Sequence, residues 1–220
     1  MGGRAGGGAS GGMGSRSRGG GFDFAREAIA PGHPLFEGFR KKDYDFTMST
    51  IDMNIKDPQL KAEMKEAVTK MYKEMGGLPG GGAEVKIVSS KEFKRLEGSG
   101  YEFGVHAGSS IYLNARYYGK GYNSIVKLNK QQMAAGKMTT VNKPAMKTFV
   151  HEFGHGYYDN LSSGGKAQVA KVFSQFTSSK STKGWGSYAK KSPAEFYSDA
   201  VAKSVLGGSD KWTKALGKIK

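Results

Sequence analysis

The 220 residues contain no cysteine, which removes disulfide frameworks, thiolate metal sites and cysteine nucleophiles together. Any metal this chain binds must be held by His, Asp or Glu. No stretch approaches the roughly eighteen consecutive apolar residues of a membrane span. The N-terminus is Gly-rich, not an apolar run behind basic residues, so no secretory signal is read. Synthesis in the cytoplasm is expected, with virion association or non-classical export as the routes elsewhere. Met1-Gly2 does not read as a myristoylation signal, because Gly6 stands where Ser or Thr is wanted.

Acidic residues are scarce as well: 19 against 34 basic ones, for a net charge of +15. From Lys166 to Lys220, eleven lysines face only Glu195, Asp199 and Asp210. Such a surface attracts anions, so weak contact with nucleic acid or an acidic surface is expected through this third and the N-terminal tail. A lysine-coated solvated face is the plainer reading.

What is present suffices for one domain with a lean core, since 37% of residues are apolar and 11% aromatic. Residues 1–21 hold arginines, serines and many glycines but almost nothing apolar, which predicts a flexible basic tail. Residues 22–50 scatter Phe22, Phe24, Phe36, Phe39, Tyr44 and Phe46 without a period and read as an irregular segment packed on the domain. The domain proper is expected over 51–220.

Asp57-Pro58 opens a helix whose stripe is Leu60, Met64, Ala67, Val68, Met71 and Met75, ended by Gly76-Gly77. β-prone runs at Val85–Val88, Ser110–Asn114 and Ser124–Leu128 predict a small sheet. From Asn142, read as an N-cap, the pattern turns helical, with Met146, Phe149, Val150 and Phe153 on one face. Further helices are expected near Lys166–Phe176, over Ser192–Leu206 and from about Ser209. The whole is an α+β arrangement.

His151-Glu152-Phe153-Gly154-His155 is an HExxH motif inside the predicted helix. Imidazoles four residues apart leave one helix face about one turn apart and can bind a single Zn²⁺. Glu152 stands beside the first ligand, where it can take a proton from a water that zinc makes acidic. No histidine follows His155, so a third ligand must be a carboxylate, and the acids downstream are Asp159, Glu195, Asp199 and Asp210. Asp159 lies one turn beyond His155 and suits an outer or capping role.

Glu195 is the better candidate, on a separate helix with Asp199 one turn further along the same face. One of the two carboxylates can bind the metal while the other orients a ligand imidazole through its free N–H. Ser192-Pro193-Ala194-Glu195 also reads as a capping box, in which Glu195 would only accept the Ser192 backbone N–H. His33 and His106 read as solvated or hydrogen-bonded histidines, not ligands.

HEFGH together with GSYAKKSPAEFYSDA, which begins at Gly186, resembles the gluzincin metallopeptidases of the anthrax lethal factor type over roughly residues 145 to 205. In that family a similar HEFGH helix precedes an SYxxxxxAEFFAEA helix. The resemblance implies a zincin-like α+β domain, with an active-site helix and a C-terminal helix carrying the third ligand. It further implies one zinc per chain on His151, His155 and Glu195, with Glu152 as base, Tyr188 as the active-site tyrosine and Asp199 in the outer shell. The implied activity is endopeptidase action on a protein or peptide. The small basic body and Gly/Arg tail are more similar to phage- or prophage-encoded proteins than to the multidomain toxin. The competing expectation is a structural or nucleic-acid-associated protein of the virion type with an accessory zinc site.

Overall fold

A computed structural model describes residues 34–97, 101–217 and 219. The chain divides into two units, Met1–Glu37 and Gly38–Lys220. The expected tail at 1–21, the segment 22–33 and His33 lie outside the described residues. The architecture is mixed α and β: helices surround a three-stranded sheet in the order β1-β3-β2. No described helix is long and apolar enough to cross a membrane.

Where an irregular segment is expected over 22–50, residues from Pro34 are helical: α1 runs Pro34–Asn54. Its inner face is Tyr44, Thr47, Met48, Thr50 and Ile51, a helical spacing hidden in the sequence because threonines occupy part of it. Those threonines serve the sheet. Thr47 Oγ1 accepts the Ala83 N–H at 2.8 Å, Thr50 Oγ1 accepts the Val85 N–H at 3.1 Å, and the Asn54 amide donates to Val85 O at 2.9 Å. α1 thereby satisfies the outer edge of β1 (Glu84–Val88), which would otherwise expose unpaired backbone groups.

Helix α2 (Pro58–Glu74) follows as read, with Asp57 Oδ1 accepting from Gln59 and Leu60 N–H, each at 3.0 Å. The other Asp57 oxygen accepts the Tyr122 N–H at 2.9 Å, so one carboxylate caps two helix starts. The stripe from Leu60 to Met71 is buried, but Met75 is exposed. After β1 come α3 (Ser90–Glu97), β2 (Gly104–Ala107), β3 (Ser110–Asn114) and the short α4 (Ala115–Tyr118). β3 pairs parallel with β1 and antiparallel with β2, which forms the other edge.

The third expected strand is not one: Ser124–Leu128 lies in helix α5 (Tyr122–Ala134). β-branched residues there suggest a strand, but Ile125 and Asn129, four apart, are the buried pair, and Gly121 at φ +81° starts the helix. The third strand is instead β2, at four residues too short to stand out in the sequence.

A 3₁₀ turn at Pro144–Met146 leads into α6 (Lys147–Asp159). Asn142 does not cap it; its amide donates to Gly207 O at 2.8 Å and ties the turn to the end of another helix. That helix is α8 (Pro193–Val205), preceded by α7 (Ser163–Thr177) and a 3₁₀ turn at Ser187–Lys190, and followed by α9 (Lys211–Leu216). α6 packs against β2 and, most extensively, against α8. Phe176 of α7, Trp185, Phe196 of α8 and Trp212 of α9 cluster with ring centroids 4.5–5.5 Å apart, Phe176 on Phe196 stacked and Phe176 on Trp212 edge-on. Both indoles find acceptors, Asp210 at 2.7 Å and Ser181 O at 3.1 Å, so the loop ahead of the 187–190 turn is anchored at its base.

Candidate metal centre

α6 forms because Phe149, Val150 and Phe153 bury one face while His151 and His155 leave from another. Their Nε2 atoms stand 3.2 Å apart with rings nearly perpendicular. Glu195 comes from α8, its Oε2 3.0 Å from His151 Nε2 and 3.6 Å from His155 Nε2. The three ligand atoms lie within 4.8 Å of one another, so this group could hold a metal ion. Three atoms of metal-ligand type held this close, with His151 buried, are an arrangement a cation would stabilise.

The capping-box alternative for Glu195 is half fulfilled. Ser192 Oγ accepts the Glu195 N–H at 3.2 Å, but the Glu195 carboxylate turns to the imidazoles. Burial alone would raise the Glu195 carboxyl, but the hydrogen bond from His151 and the nearby His155 imidazole outweigh it and hold the group at about 2.

The two helices can bring these groups together because residue 154 is glycine. A Cβ there would stand 2.5 Å from Ser198 Cα of α8, closer than side chains pack. Gly154→Ala must therefore wedge α6 from α8. The expected cost is about 1–3 kcal/mol of stability, together with loss of metal affinity as Glu195 recedes, checked by thermal melts with and without metal.

Asp199, one turn after Glu195, meets the far side of the same imidazole, its Oδ1 2.7 Å from His151 Nδ1. This leaves Nε2 facing Glu195 and His155. Asp199 is fully buried and also pairs with Lys147 and Thr139. Burial would raise its carboxyl; the Lys147 ammonium and the His151 hydrogen bond hold it well below the usual range instead. Neither Lys147 nor Thr139 is singled out by the sequence. Lys147 had a signal, its place four residues before His151 on one helix; Thr139 had none.

Glu152 is buried beneath β2, where a Cβ on Gly104 would lie 3.2 Å from its Oε1. Burial raises its carboxyl above the ordinary range, and the neighbouring imidazoles offset part of this. Tyr188 sits across the cleft, partly exposed, its ring 6.0 Å from that of His151 and 3.8 Å from Lys191 Nζ. Its turn is stitched to the 136–139 loop by Ser187 N–H to Gly136 O at 2.8 Å and Gly186 N–H to Thr139 Oγ1 at 2.9 Å. Burial and the facing Glu195 and Glu152 carboxylates raise its hydroxyl, which stays protonated.

His151, Glu152, His155, Tyr188 and Glu195 line a cleft of about 680 Å³, one wall of which is residues 101–106 leading into β2. Asp159 also lines it, but is exposed and makes no hydrogen bond to the imidazoles among the described residues. His106 stands on the same wall, its Nε2 against Gly156, outside the ligand group. No family model, curated protein or solved structure matches the chain, so what this centre does rests on its own residues.

Proposed function

We propose that the chain is a zinc-dependent endopeptidase of the gluzincin kind, with His151, His155 and Glu195 holding one Zn²⁺. The observation that carries this reading is the convergence of the three ligand atoms beside a buried carboxyl, Glu152, on an open cleft. Two imidazole nitrogens and one carboxylate oxygen form a donor set suited to catalytic zinc. When bound, zinc supplies Lewis acidity toward a carbonyl oxygen and lowers the pKa of a water.

Glu152 takes the proton of the attacking water at its carboxylate and returns it to the amine nitrogen as the C–N bond breaks, regenerating the base. Tyr188, protonated, donates to the carbonyl oxygen as charge develops on it. Asp199 fixes the His151 ring by accepting from Nδ1. β2 leaves its outer edge unpaired by any strand among the described residues, an edge to which an extended peptide can hydrogen-bond. That favours a peptide over a compact substrate.

The test is incubation of the zinc-loaded chain with a mixed peptide pool. New internal termini are expected, and none after chelation; a pool left intact by zinc-loaded protein sinks the reading. Tyr188→Phe probes the oxyanion step. It is expected to lower kcat by about 10²–10³-fold with zinc content and KM nearly unchanged. A fully active, zinc-loaded Phe variant removes Tyr188 from the chemistry.

A further inference from the structure

We propose that Lys147 is a positioning residue that shares Asp199 with His151 and so weakens and tunes the hold of the centre on its metal. The proposal rests on the zinc reading above. Lysine is among the residues least often buried, yet this side chain is 5% exposed and pairs with a carboxylate that is 0% exposed. Its ammonium bonds Asp199 Oδ1. The same oxygen faces His151 Nδ1 at 2.7 Å, and Lys147 Nζ lies 3.2 Å from that nitrogen. The other oxygen is taken by the Thr139 hydroxyl. Three donors thus converge on one buried carboxylate, and the ligand imidazole has only a share of it.

That sharing has two consequences of opposite sign. A carboxylate that accepts from Nδ1 makes an imidazole a better donor at Nε2, and a cation on the same oxygen withdraws part of the effect. The ammonium, one turn before His151 on α6, also repels a second cation. Both act against metal binding. Without metal, however, Lys147 is the positive charge that compensates Asp199, and removing one partner of a buried pair leaves an uncompensated charge. Lys147 therefore holds the empty centre together and loosens the filled one. A lysine of merely structural importance would act in one direction only, with stability and affinity falling together.

Zn²⁺ affinity, measured on the full chain by competition with a chromogenic chelator, is read beside melting temperatures with and without Zn²⁺. Lys147→Met is expected to bind Zn²⁺ about tenfold more tightly, to melt lower without it, and to gain more from it than wild type. Lys147→Arg, which keeps the charge, is expected near wild-type affinity. If metal-free Lys147→Met does not fold, refolding with Zn²⁺ is expected to recover it, and failure to recover overturns the proposal. Unchanged or weaker Zn²⁺ affinity in Lys147→Met overturns this inference alone; a wild type that takes up no Zn²⁺ overturns the zinc reading with it.

Discussion

Glu152→Gln is expected to keep the fold and the full zinc content while lowering peptide hydrolysis by about 10²–10⁴-fold. The amide has the carboxylate's shape, which matters because β2 crosses close to this side chain: a Cβ on Gly104 would lie 3.1 Å from Glu152 Cγ. Nor does the amide add a desolvation cost, since burial already opposes the charged form at this position. Glu152 is not in the ligand group, so metal binding should not depend on it. What the amide removes is the capacity to take and return a proton. The check is kcat and bound zinc measured on one preparation, and turnover near wild type in a zinc-replete sample would contradict the assignment of the base.

The centre was more legible than the fold around it. HExxH reports its own geometry, because spacing on a helix fixes where two side chains emerge, and the structure brings His151, His155 and Glu195 together with Asp199 behind them. The helices announced by strong caps and stripes, such as α2 behind Asp57-Pro58, are present close to their expected bounds. Misreadings fall where tertiary context decides. α1 was hidden because Thr47 and Thr50 sit on its buried face to bond β1, so its stripe looks polar. α5 carries β-prone residues, yet its buried positions are four apart. β2 is four residues long and is defined by its partner more than by its own composition. Lys147 is hidden in the sequence for a related reason: a lysine among many reads as surface until the structure shows what lies against it.

The central claim, that His151, His155 and Glu195 together hold one zinc, is tested most directly by bound-metal analysis of wild type beside Glu195→Ala. The substitution is well suited because the N-cap survives it: Ser192 Oγ accepts from the backbone N–H of residue 195, which alanine keeps, so α8 should still start where it does. Only the carboxylate between the two imidazoles is lost. Wild type is expected to carry one zinc per chain through dialysis against a weak chelator. Glu195→Ala, folded to the same extent by circular dichroism, should lose it, with affinity reduced by more than the roughly 10–100-fold that an outer-shell change costs. Stoichiometric zinc retained by Glu195→Ala, or a wild type that binds none, would contradict the account.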